Sequence, residues 1–251
     1  MSSWVETASR NFTARHEERD EDDVAAVLDL LEDTRERVGP LFGRLPQEVT
    51  VVLHSRLAEL DLAQPCLPFV RRLPTPAARR YLAGWAGRGA LHVLTPRLLA
   101  ERAANVAGSR EMLSLTPAAL YVQLVVAECN PSLPPPWTVR STARAARWAW
   151  LVAGTSQWFS GQTAHARPAI ARRLREGARP DFPPSLRDAA LLGGTVVDLV
   201  AREEGVENAV RLACSLPRGG PREALVSVFH GRAMVHTEGS WRAHLAHLAG
   251  R

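Results

Sequence analysis

Trp150-Leu151-Val152-Ala153-Gly154-Thr155-Ser156-Gln157-Trp158-Phe159-Ser160-Gly161 is the stretch on which the reading of the fold turns. It falls in a helix predicted over 141–160. There Trp148, Leu151, Trp158 and Phe159 lie within an arc of roughly 100°, the width of a core-facing stripe. Trp150 points away from that stripe. Trp137, Trp148, Trp150 and Trp158 stand beside arginines, an interleaving that can stack bases or sugars. The helical register favours core packing instead.

Working upstream, Thr116-Pro117-Ala118-Ala119-Leu120-Tyr121-Val122-Gln123-Leu124-Val125-Val126-Ala127-Glu128-Cys129-Asn130 predicts a second helix. Thr116 can cap it, and Pro117 suits the first helical position, where a missing N–H costs nothing. By local pattern alone it is a buried apolar helix. No histidine stands between His92 and His165.

The Trp150–Gly161 stretch resembles the W-L-x-E-G-x-A-x-(Y/F)-x-S-G segment of gluzincin metallopeptidases, with Ala153 at the position of the zinc-binding Glu. The Thr116–Asn130 segment corresponds to the family's H-E-x-x-H helix, and the frame adopted puts Tyr121, Val122 and Val125 where His, Glu and His would stand. In that motif two His at i and i+4 and a third ligand hold zinc, and the Glu activates water. None of these groups is present, so the resemblance implies a scaffold without its metal and without the family's hydrolysis.

Weaker matches follow the same order along the chain. Trp4 to His16, an acidic helix and Glu48–His54 are similar to the opening of peptidase-MA-like domains. Tyr81–Leu94 is similar to the G-x-A-x-x-G turn and the strand beside the cleft. Leu192–Gly205, and Phe229-His230-Gly231 through Glu238 to Leu245, resemble the closing helices. The implied fold is α+β and zincin-like: a mixed β-containing lobe over 1–95, a mainly helical lobe over 96–251, and a cleft between them.

All 31 basic residues are arginine. With abundant Ala and one Ile, Ile170, this reads as the codon bias of a GC-rich bacterial genome, and the high pI as arginine that never titrates. The net charge of +5 is modest, but Arg140 to Arg187 carries nine arginines against Glu176 and Asp181. Such a segment can meet nucleic acid or an acidic partner, or be a solvated face. Cys66, Cys129 and Cys214 are odd in number and widely spaced, which predicts reduced, packed thiols. With no apolar leader and no run of the ~20 apolar residues a span needs, the expectation is a cytoplasmic protein that does not enter a membrane.

Strands are predicted at Val49–Leu53 and Leu91–Leu94. A helix is predicted from Asp20 to about Val38, ended by Gly39-Pro40. Beyond Pro96, helices are predicted over 96–104, 117–129, 141–160, 167–176, 185–203, 205–216, 220–229 and 238–249. Pro131 to Trp137 breaks the chain.

The leading functional expectation is a catalytically inactive, peptidase-like protein without a cofactor. Its remnant cleft, with Gln123, Glu128, Gln157 and Trp158 as candidate lining beside Tyr121, binds a peptide, a protein segment or a small ligand, the peptide along the β-lobe edge. Tyr121 is expected to fill the vacated metal volume. Glu128 is expected to pair with an arginine of the next helix. Two alternatives stay open: a hydrolase using His92, Glu128 or the C-terminal His244 and His247, and a nucleic-acid or acidic-partner binder acting through the arginines. No G-x-S-x-G and no phosphate-binding Gly-rich loop is present.

Overall fold

The computed structural model describes residues 3–176 and 178–250. Its sheet has five strands: β1 (Trp4–Ala8), β2 (Phe12–Glu17), β3 (Val49–His54), β4 (Gly84–Ala86) and β5 (Ala90–Leu94). The spatial order is β1-β2-β3-β5-β4. β2, β3 and β5 run parallel, and the two edge strands are antiparallel to their neighbours. β3 and β5 lie where the β-branched and apolar runs predicted strands. The β1–β2 hairpin was not predicted, because Glu6, Thr7, Thr13 and Arg15 stand among its exposed and half-buried positions and leave little apolar signal.

Between β2 and β3 lie a 3₁₀ turn, Glu18–Asp20, and α1 (Glu21–Phe42). Helices α2 (Leu57–Ala63), α3 (Leu67–Val70) and α4 (Pro76–Arg79) follow β3. After Leu94 come α5 (Pro96–Glu101), α6 (Ser109–Ser114), α7 (Thr116–Cys129), α8 (Val139–Arg147), α9 (Ala149–Phe159) and α10 (Gln162–His165). The chain continues through α11 (Arg167–Arg175), α12 (Ala189–Glu204), α13 (Val206–Cys214), α14 (Pro221–Val228) and α15 (Met234–Leu248). No strand follows Leu94 among the described residues. The fold is mixed α/β, with its sheet in the N-terminal part and helices beyond.

Strand alternation puts Phe12, Ala14, Val49, Val51, Leu53, Leu91 and Val93 on one buried face. Phe12 meets Tyr121 of α7 edge to face, ring centres 5.1 Å apart, so this face lies toward α7. α1 packs Val24, Val27, Leu28, Leu31 and Val38 into the same core. Its Glu32 accepts hydrogen bonds from Ser9 Oγ (2.6 Å), Asn11 N (2.7 Å) and Asn11 Nδ2 (2.7 Å), which pins the β1–β2 turn. Although burial alone would raise it, these bonds hold the Glu32 carboxyl below its usual range.

Three expectations are corrected. Gly39-Pro40 does not end α1, which runs through Pro40 to Phe42. Phe42 is buried, and Gly43, at φ 68°, turns the chain with its N–H on the Gly39 carbonyl (3.0 Å). The single helix over 141–160 is two helices, parted at Trp148, whose backbone leaves the helical region (φ −107°, ψ 26°). Thr138 and Ser141 form a reciprocal capping box that starts the first of them. Trp150 does not point outward: it is among the largest fully buried side chains, because α9 is covered on nearly every side.

The thiol reading is also corrected. Cys129, the last residue of α7, and Cys214, the last of α13, form a disulfide with Cα atoms 5.0 Å apart. Their sequence separation of 85 hid the pairing. Beside it Asn130 Nδ2 donates to the Ala213 carbonyl at 2.9 Å. Cys66 is free and exposed. With two of three cysteines bonded, cysteine usage no longer argues for a reducing compartment. No helix among the described residues is long and apolar enough to cross a membrane.

Candidate functional site

α7 and α9 each present one face to a common cavity. On α7 that face is Thr116, Ala119, Leu120 and Gln123; on α9 it is Ala149, Val152, Ala153 and Ser156. Both sets follow i, i+3, i+4, i+7, the spacing of one helical stripe. Gly84, Trp85 and Ala86 of edge strand β4 close one side, the Leu67–Pro74 segment another, and Ala145 and Ala146 of α8 with Ala189 and Ala190 of α12 the rest. The cavity measures about 240 Å³. Eight of its lining residues are alanine, whose side chains stop at Cβ and leave the space between the helices unfilled.

Gly84 sets how closely β4 approaches α7. A Cβ there would come within 2.5 Å of Leu120 Cδ1 and 2.7 Å of the His92 carbonyl oxygen. The β4 ladder bonds Leu94 N–H to the Ala83 carbonyl and Gly87 N–H to the Ala90 carbonyl. By antiparallel alternation the backbone groups of Gly84 and Ala86 face the free edge. There Trp137 Nε1 donates to the Ala86 carbonyl at 2.8 Å, and its ring lies 4.3 Å from that of Trp85.

Most polar groups at the cavity are held by the protein. Gln157 Oε1 accepts from Gly194 N–H (2.9 Å) and its Nε2 donates to the Ala189 carbonyl (3.4 Å). Gln162 Nε2 donates to the Met112 carbonyl at 2.7 Å, and Ser156 Oγ to the Val152 carbonyl at 3.0 Å. Two groups differ. Thr116 does not cap its helix: α6 runs into α7 through Leu115, and the buried Thr116 Oγ1 has no hydrogen-bond partner. The Gln123 side chain forms no hydrogen bond among the described residues.

The candidate residues therefore separate. Gln123, Gln157 and Ala153 line the cavity. Tyr121, Val122 and Val125 do not; all three are fully buried on the side of α7 turned to the core. The Tyr121 hydroxyl accepts from Arg35 Nη1 (3.0 Å), and burial raises its pKa despite that guanidinium. Trp158 donates its Nε1–H to Asp198 Oδ1 (2.9 Å), away from the cavity. Glu128 is exposed and makes no ion pair among the described residues. The cavity-facing i, i+4 pairs are Thr116 with Leu120 and Ala119 with Gln123. Their sequence signal was Thr116 and Gln123, polar residues two turns apart in a mainly apolar helix.

Of the histidines weighed for chemistry, His92 lies on β5, whereas His244 and His247 share α15. His92 Nδ1 is 3.1 Å from His54 Nε2, and the two rings stack on neighbouring strands at 5.4 Å. Burial, then the neighbouring His92, push His54 down to about 4; burial also lowers His92. His244 Nε2 lies 2.8 Å from Asp198 Oδ2. Burial raises the Asp198 pKa, but the bonds from His244 and Trp158 bring it below the usual carboxylate range. No group of three His, Cys, Asp or Glu able to hold a metal occurs among the described residues. Of the nine arginines in Arg140–Arg187, Arg172, Arg173 and Arg179 are in ion pairs, with Glu176, Asp188 and Glu238.

No protein-family model matches the chain, and no curated protein matches it in sequence.

Proposed function

We propose that this chain is a binding protein on a degenerate gluzincin-like scaffold, which holds a ligand in the cavity between α7, α9 and β4 and does not hydrolyse peptides. The observation that carries this reading is the pair of cavity stripes on α7 and α9. With the motif placed on the cavity face, Ala119, Leu120 and Gln123 stand for His, Glu and His, and Ala153 for the third ligand. This frame replaces the one on Tyr121, Val122 and Val125, whose side chains are turned to the core.

A zinc ion does not fit this lining. Zinc is held by imidazole, thiolate or carboxylate, and among the described residues that line the cavity none is His, Cys, Asp or Glu. No catalytic step is assigned to a metal here. The remaining amide and hydroxyls can orient a ligand but include no general base of useful pKa.

Elemental analysis of protein purified without added metal, repeated after excess zinc and dialysis, tests the reading. Well under 0.1 zinc per chain is the expected result. A value near one would overturn it and place new ligands at the site.

A further inference from the structure

We infer that the cavity takes a neutral, mainly apolar small molecule carrying one hydrogen-bonding group, received by Gln123 and Thr116. The inference rests on the proposal that this cavity is the ligand site, and it specifies the ligand's chemistry.

Charge selection is the first argument. The chain has 31 arginines and 26 acidic residues, yet not one lines the cavity among the described residues. An ion entering it would lose its hydration with no countercharge to replace it, which costs several kcal/mol. A neutral apolar body loses nothing and gains by leaving water. Size is the second argument. At about 240 Å³ the cavity lies just below the roughly 300–1,000 Å³ of pockets that take drug-sized ligands, so it suits a small ring or alkyl body.

The third argument is the polar pair. Thr116 is 4 % exposed, and its Oγ1 is a buried hydroxyl without a partner. Buried polar atoms in native proteins are nearly always bonded, so an orphan on a cavity wall points to a group that meets it. Gln123, seven residues on and on the same stripe, offers a free amide that both donates and accepts. Together they suit a primary amide or an alcohol at one end of an alkyl or ring body, with the Trp85 and Trp137 rings at the strand side.

Displacement of the neutral fluorophore N-phenyl-1-naphthylamine from the full chain tests this, with octanamide and octanoate as competitors at pH 8. Octanamide is expected to displace the probe at a concentration at least about tenfold lower than octanoate. Gln123→Leu should weaken octanamide about fivefold, the worth of one hydrogen bond. Ala153→Trp should abolish probe binding. If circular dichroism shows that variant unfolded, Ala145→Leu on α8 gives the same readout. Octanoate binding as well as octanamide, with Ala153→Trp still blocking, would overturn the neutral-ligand inference and leave the site standing. Probe binding that survives both filling variants, or no binding at all, would overturn the site itself.

Discussion

Gly154 of α9 and Gly193 of α12 touch backbone to backbone. A Cβ on Gly154 would lie 2.5 Å from the Gly193 carbonyl oxygen, and one on Gly193 would lie 2.6 Å from the Trp150 carbonyl oxygen. The two helices thus cross at the closest approach that backbones allow, and the cavity-lining stripe of α9 is set by that crossing. Alanine favours helix over glycine by about 1 kcal/mol, so a loose crossing would be stabilised by Gly193→Ala. The opposite sign is expected: a loss of about 1–3 kcal/mol from overpacking, which thermal denaturation would read as a fall of about 2–4 °C per kcal/mol.

The His54–His92 pair predicts a pH dependence of stability. His54 titrates near 4 when folded and near its ordinary 6.5 when unfolded. Between those values the unfolded chain binds more protons. Stability is therefore complete above about pH 6.5 and is lost as pH falls toward 4, by up to about 1.4 kcal/mol per pH unit. Urea denaturation at pH 7.5, 6 and 5 should show this slope, and His54→Leu should flatten it. An unchanged slope in the variant would assign the acid loss to other groups.

Arg173 grips Asp188 with two bonds, Nε to Oδ1 at 2.7 Å and Nη2 to Oδ2 at 2.8 Å, and both side chains are buried. Its Nη1 also donates to the Glu176 and Ala178 carbonyls, each at 3.0 Å, and so holds the loop after α11. Asp188→Ala leaves a buried guanidinium without its counterion. The expected cost is about 3–5 kcal/mol by chemical denaturation. The exposed i, i+4 pair Arg172–Glu176 supplies the contrast: Glu176→Ala should cost no more than about 0.5 kcal/mol.

The Cys129–Cys214 bond predicts one reactive thiol, Cys66, per chain in native protein under thiol titration. After reduction and denaturation three should react. Closing a loop of 85 residues, the bond should contribute about 2–4 kcal/mol, measured as the drop in denaturant midpoint on reduction. Three thiols without reductant would show the bond absent.

Where the sequence carried strong local chemistry, the elements were legible. The β-branched run at Val49–Leu53 and the apolar run at Leu91–Leu94 mark β3 and β5, and proline-started helices such as α5 and α14 begin where their prolines stand. β4 has three residues and is a strand only by pairing with β5, so nothing local announces it. The face of α7 turned to the cavity was obscured because the helix is apolar almost all round. Periodicity cannot rank one apolar face over another. Nor could local pattern place Trp150, since α12, which reaches its backbone at Gly193, is distant in sequence.

Trp137 gives the sheet's free edge an occupant. Its indole N–H holds the Ala86 carbonyl, the acceptor that an incoming strand would use first. Any peptide that adds to β4 must evict a tryptophan already docked against Trp85, whereas a molecule entering beneath the two rings need not. Under the proposed binding role, a chain segment would have to displace this ring and a small guest would not, so the ring would rank ligands by shape before any side chain reads their chemistry.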